Sequence, residues 1–187
     1  MVALLRVALL VRWSAGVLCA LLCLQLVAPS HAAESVNVAV GGYQGYRDLA
    51  LGWDLGKIWS HDGRSRQELV PEVSVGYSDY DGHVAASRNR LWHVGGEFLY
   101  RWYCAPRTFL EAGAGPNLFT RTLVGNHVLS TNLQFGDSIG FAHEVSDRWT
   151  LGLRVVHFSN AGIKRPNDGV SFVNIVASYR FGPRRDH

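Results

Sequence analysis

The 187-residue chain has little cysteine, only Cys19, Cys23 and Cys104. Cys19 and Cys23 sit inside an N-terminal apolar run, which leaves Cys104 alone in the rest of the chain. One cysteine builds neither a disulfide framework nor a cysteine metal site within a chain. Beyond that run, no stretch approaches the ~20 apolar residues of a membrane-spanning helix. A convincing amphipathic helix is missing as well. So is an excess of one charge. Residues 1–33 contain two of the 18 basic residues and none of the 15 acidic ones, so the remainder is nearly neutral. The slight basic excess of the full chain is therefore no argument for a nucleic-acid partner.

Residues 1–33 stand apart from the fold. Arg6 and Arg12 precede an apolar run from Ala15 to Val27, and Pro29 and Ser30-His31-Ala32-Ala33 follow it. This is the pattern of a secretory signal peptide, with cleavage near residues 32/33. An uncleaved anchor is the other reading, and the small residues after the run speak against it. Leu18 and Leu22, which precede the two cysteines, are not small, which speaks against a lipoprotein signal. Residues 34–187, roughly 150 in number, read as one domain.

What this part of the chain does have is period-2 alternation. It recurs over Val36–Gly41, Leu51–Gly56, Leu69–Ser78, Trp92–Trp102, Thr108–Gly115, Phe135–Glu144, Trp149–Ser159 and Val173–Phe181. One face of each run is apolar and aromatic. The other carries glycine, serine and charges, among them Asp54, Glu72, Glu97, Arg101, Glu111, Glu144, Arg154 and Arg180. A soluble lipocalin-like barrel or sandwich would bury the apolar face, whereas a transmembrane barrel turns it outward.

Three features favour the membrane. The polar face is too charged and too glycine-rich for a merely wet surface, and it suits a narrow interior of paired charges. Trp59, Trp92, Trp102, Trp149 and Tyr179 cluster near strand ends, as an interfacial girdle does. The connections alternate in length. Ala105-Pro106-Arg107 and Ser146-Asp147-Arg148 are tight, while Asp79–Arg88, Asn117–Asn132 and Asn160–Gly169 are long and polar. The expected fold is all-β, an eight-stranded antiparallel transmembrane β-barrel whose interior is just filled by side chains. Phe181 departs from the usual plan, being followed by Gly182–His187 rather than ending the chain.

The candidate chemistry lies at the end of the seventh run. Residues i and i+2 of a strand share a face, so Leu151, Leu153, Val155, His157 and Ser159 point one way, towards lipid. Such a pair can be a polar cluster at a strand end. It is also the core of nucleophilic acyl transfer, with His157 as general base and Ser159 as nucleophile. A histidine on a lipid-facing row is costly without a use or a partner. Asn160 can offer an oxyanion its side-chain amide or its backbone N–H. If Ser146–Arg148 is a three-residue turn, counting back along both strands puts Asp137 opposite His157, as a candidate orienter of the imidazole. A bulge residue or solvated charge is the alternative for Asp137, and a one-residue slip breaks the pairing. Lys164 and Arg165 can meet head-group phosphates, or belong to an ordinary solvated loop. His93, His127 and His143 form no defensible metal-ligand spacing, and His61 and His83 read as loop residues.

His157-Phe158-Ser159-Asn160-Ala161-Gly162-Ile163-Lys164, followed by Pro166-Asn167-Asp168-Gly169, closely resembles the active-site segment of the PagL family of outer-membrane lipid A 3-O-deacylases. Gly52-Trp53-Asp54, Phe109–Gly115 and Phe135–Gly140 resemble family segments in the same order. The resemblance implies an eight-stranded barrel in the outer membrane of a Gram-negative bacterium. Its substrate is lipid A of the surrounding lipopolysaccharide, from which it removes the ester-linked 3-hydroxyacyl chain at position 3. Ser159 is then the nucleophile, His157 the base and Asn160 an oxyanion donor, with no metal or cofactor required. A homodimer is left open. Strand parity independently places both catalytic residues on the outward face.

One position departs from the family. Its acid is a glutamate two residues after the glycine of Asn-Asp-Gly, and here that position is Ser171. Three outcomes follow. Asp137 takes over the orienting role, Ser171 holds the imidazole through its hydroxyl at reduced rate, or the chain is an inactivated homologue. A non-enzymatic barrel for adhesion or membrane integrity shares every strand-level feature, and another lipid-modifying barrel, such as a phospholipase or palmitoyltransferase, is a further reading.

Overall fold

The computed structural model describes residues 33–82 and 89–182. The expected signal peptide therefore lies outside the described residues, apart from residue 33, as does the tail at 183–187. The strands are β1 (Ser35–Tyr43), β2 (Tyr46–Asp54), β3 (Trp59–Asp62), β4 (Arg66–Tyr80), β5 (Arg90–Ala105) and β6 (Thr108–Phe119), then β7 (Leu123–Val124), β8 (His127–Val128), β9 (Leu133–Glu144), β10 (Trp149–Ser159) and β11 (Val170–Arg180).

Eight long strands run in the order β2-β1-β11-β10-β9-β6-β5-β4, and β2 pairs with β4 to close the sheet. Every pairing is antiparallel between neighbours in the barrel. Closure removes the open edges that a sheet in lipid cannot leave unpaired. The eight expected strands are all present. β6 runs on to Phe119, so the following connection begins later than its polar composition suggests. That connection also folds into a small hairpin, β7–β8. β3 extends β4 at the end of the barrel that holds the short turns.

Alternation sorts the side chains as the sequence implies. Ile139, Leu153 and Ile175 on adjacent strands are 66%, 56% and 65% exposed, part of an apolar outer band. The soluble alternative fails here, because it would have buried these residues, while the enclosed space is ionic.

Arg154 donates to Glu72 at 2.9 Å and to Glu111 at 2.7 Å. Arg101 joins Glu111 at 2.7 Å to Asp54 at 3.0 Å. The Asn37 amide bridges Asp54 and Glu72 at 2.8 and 2.7 Å. Two guanidiniums thus alternate with three carboxylates across five strands, and the Asn37 amide ties in a sixth. Towards the long-loop end the interior becomes apolar, with Tyr46, Leu91, Phe119, Val124, Leu129, Val156, Phe158, Val170 and Phe172 forming one buried cluster. The interior is therefore a charged storey beneath an aromatic one.

Removing one member of a buried ionic network leaves its partners uncompensated, which costs about 3–5 kcal/mol. Arg154→Leu removes the guanidinium that pairs with Glu72 and one of the two that pair with Glu111. The expected result is a lower urea midpoint for unfolding in bilayers, measured by loss of the compact, heat-modifiable band on gels. An unchanged midpoint would show that the network does not hold the strands together.

Candidate active site

β10 carries its inward residues Val156 and Phe158 into the aromatic storey, which fixes the opposite parity for His157 and Ser159 on the outer wall. The strand stops because the chain turns sharply after Asn160. Ala161 and Gly162 both have positive φ, 53° and 78°, and Ile163 N–H donates to the Asn160 carbonyl at 3.0 Å. Two central residues at positive φ make a type I′ turn, which favours glycine at the second position. The turn aims the Ala161 N–H back at Ser159 Oγ, at 3.4 Å.

His157 has one candidate orienter on each side. Across the β10–β11 ladder it faces Ser171, and across β10–β9 it faces Asp137, the register that a three-residue turn at Ser146–Arg148 predicts. Its Nδ1 hydrogen-bonds Ser171 Oγ at 2.9 Å. Asp137 is exposed on the same outer face. The His157 and Ser159 side chains are not hydrogen-bonded to each other; His157 bonds Ser171, and Ser159 Oγ accepts from the Ala161 N–H. Catalytic hydrogen bonds often tighten only in the substrate complex.

The chemical difference between a serine and a carboxylate at position 171 concerns the proton. A carboxylate only accepts, so it requires Nδ1–H and leaves Nε2 bare to act as base. A hydroxyl both donates and accepts. Ser171 therefore serves either tautomer of His157.

Asn160 is fully buried rather than open to substrate. Its side-chain amide donates to the carbonyls of Leu129 at 2.8 Å and Lys164 at 2.7 Å, and its backbone N–H donates to Asn167 Oδ1 at 3.1 Å. The donors expected to face an oxyanion are thus engaged in holding the loop. The N–H of the next residue, Ala161, is the one near Ser159 Oγ. Lys164 and Arg165 are exposed in the same loop.

Gly169 closes the loop with φ at +63°. A Cβ there would lie 2.6 Å from His157 Cε1 and 2.9 Å from Nε2, so only glycine leaves room for the imidazole edge. Sequence periodicity gave no sign of the β7–β8 hairpin, which packs against this loop. His127 Nδ1 meets the Gly169 carbonyl at 2.5 Å, Val128 N–H donates to Asp168 Oδ2 at 2.7 Å, and Ser130 Oγ donates to the Pro166 carbonyl at 2.5 Å. His93 is buried inside, 3.4 Å from Asp48. No cluster of three His, Cys, Asp or Glu residues suited to a metal occurs among the described residues.

The family model described as Lipid A 3-O-deacylase (PagL) matches residues 43–180. The lipid A deacylase PagL of Bordetella bronchiseptica is 32% identical over 156 residues, covering 82% of this chain and 85% of that protein. The lipid A deacylase PagL of Pseudomonas aeruginosa is 35% identical over 149 residues, covering 77% and 84%. The crystal structure of the outer membrane enzyme PagL superposes with a TM-score of 0.63 at 28% identity, over 78% of this chain and 98% of that one. The closed barrel, the outward His-x-Ser pair and these likenesses along most of the chain agree, and the chain belongs to the PagL family of lipid A 3-O-deacylases, β-barrels of the outer membrane.

Proposed function

We propose that this chain hydrolyses the ester at position 3 of lipid A as a serine hydrolase, working from the outer wall of its barrel. The observation that carries the reading is His157 beside Ser159 on a lipid-facing strand face, with Nδ1 held by Ser171 at 2.9 Å. Ser159 Oγ attacks the ester carbonyl while His157 Nε2 takes its proton. The Ala161 N–H, already directed at Ser159 Oγ, donates to the oxyanion. The tetrahedral intermediate collapses, the sugar oxygen leaves with the proton from His157, and an acyl-serine remains. A water deprotonated by His157 then attacks that ester and releases the 3-hydroxy fatty acid.

In this reading Asn160 is the anchor of the loop that presents Ala161. Ser171 orients the imidazole by hydrogen bond. Asp137, on the opposite flank, supplies the negative charge that favours the imidazolium as it forms. Lys164 and Arg165, exposed beside the site, are placed to meet lipid A phosphates. The N-terminal segment acts as a secretory signal peptide that exports the chain and is removed.

The test is a mass spectrum of lipid A from a Gram-negative host that expresses the chain and carries a 3-linked hydroxyacyl group. Loss of one hydroxyacyl unit is expected. Unchanged lipid A from a folded, heat-modifiable barrel would favour the second reading, an inactivated homologue. The observation behind that reading is the hydroxyl at 171 where the family has a carboxylate.

A further inference from the structure

The geometry points to His127 as a positioning residue that sets the His157 imidazole through the backbone of Gly169, with the β7–β8 hairpin acting as a brace on the catalytic loop. This rests on the proposed esterase reading and adds a residue that periodicity and the His-x-Ser segment do not reveal.

The brace is built from both of its ends. On the barrel side, Tyr46 is almost fully buried and its hydroxyl contacts Asn126 Oδ1 at 2.5 Å and the Val124 carbonyl at 3.3 Å. The Tyr46 ring packs on the His127 ring with centroids 4.8 Å apart. Leu129 has no exposed surface and belongs to the aromatic storey. The hairpin is therefore seated on the barrel rather than adrift above it. On the loop side, the successive residues His127, Val128, Leu129 and Ser130 bond to Gly169, Asp168, Asn160 and Pro166. Asp168 N–H also returns a bond to the Val128 carbonyl at 3.1 Å.

His127 makes the contact closest to the chemistry. The Gly169 carbonyl can only accept, so the His127 Nδ1 carries the proton and the tautomer is fixed. That bond holds the Gly169 peptide, and the Cα of Gly169 lies against the Cε1–Nε2 edge of His157. Nε2 is the atom that must take the Ser159 proton. A shift of this peptide therefore moves the wall that limits how the imidazole turns. An error of about 1 Å in a reacting group can lower a rate about a hundredfold.

The test uses geometry within one residue type. An asparagine Nδ2 stands close to where a histidine Nδ1 stands, whereas a glutamine amide reaches one bond further and stands nearer Nε2. His127→Asn, His127→Gln and His127→Ala are compared in the full barrel reconstituted with lipid A. Folding is checked by heat-modifiable migration. The expected result is a kcat lowered up to about a hundredfold in His127→Gln and His127→Ala at little-changed KM, with His127→Asn restored towards the parent rate. Equal rates in all three variants and the parent would overturn the inference, and so would loss in His127→Asn equal to that in His127→Ala.

A parent barrel without activity would count against the esterase reading and leave this inference still decidable. Histidine-selective NMR of the same variants then serves. His157 ring signals that move in His127→Gln and return in His127→Asn support the brace. Signals that stay fixed in all three overturn it.

Discussion

Ser159→Ala yields a barrel that inserts, shows the heat-modifiable shift of the parent and releases 3-hydroxy fatty acid about a hundredfold or more slowly. The side chain lies on the outer wall, outside both the ionic and the aromatic storeys, so its removal leaves the interior intact. The size of the loss is informative. In an intact serine-hydrolase triad, deleting the nucleophile costs on the order of a million-fold and deleting the acid alone on the order of ten-thousand-fold, and the losses do not add. On the proposed reading, Ser171 stands where the triad would have its acid. Most of that second factor is therefore missing from the parent rate, and about a hundredfold or more remains to be lost at Ser159. His157→Ala is expected to match it, because base and nucleophile act as a unit. Fatty-acid release from purified, reconstituted protein measures both. Full activity in Ser159→Ala would sink the mechanism.

Ser171→Glu is expected to raise kcat by as much as about ten-thousand-fold, the factor lost when the orienting acid of a triad is neutralised. The cause is the tautomer. The Ser171 hydroxyl at 2.9 Å from Nδ1 satisfies the imidazole whichever nitrogen is protonated. A carboxylate at the same position on β11 accepts only, enforces Nδ1–H and stabilises the imidazolium. Residue 171 lies on the outward parity, beside Val173 and Ile175 of the apolar band, so a longer side chain meets no packed core. Asp137 enters as the second arm of a double-mutant cycle. If it supplies the charge in the parent, Asp137→Asn lowers kcat there and matters little once Glu occupies 171. Equal effects of Asp137→Asn in both backgrounds would remove Asp137 from the mechanism. No gain from Ser171→Glu would remove the tautomer explanation.

Much of this architecture is legible in the residues. The alternation along Trp149–Ser159 fixes which way His157 points. The three-residue turn at Ser146–Arg148 is short enough for the register to be counted, and His157 stands opposite Asp137 as that count requires. The register with β11 cannot be counted through the long 160–169 loop; sequence parity puts Ser171 on the outer face, and the structure brings it opposite the imidazole. What the residues do not display is contact between loops. Asn160 reads as a donor because it follows Ser159, yet its amide is spent on the carbonyls of Leu129 and Lys164. The link to Leu129 spans 31 positions and leaves no period in the sequence. β7 and β8 have two residues each, too short to alternate, so the hairpin that carries His127 is visible only once the barrel has brought its ends together.

The outward placement of His157 and Ser159 changes what concentration means for this enzyme. With an interior filled by ion pairs and aromatic rings, nothing needs to pass through the barrel. Substrate arrives sideways in the plane of the leaflet, and the shortened lipid leaves the same way. Encounter is a two-dimensional search, governed by the fraction of neighbouring lipids that carry the ester rather than by their amount per litre. Other lipids around the wall are competitors for the same strip of surface, so the composition of the leaflet sets the working rate.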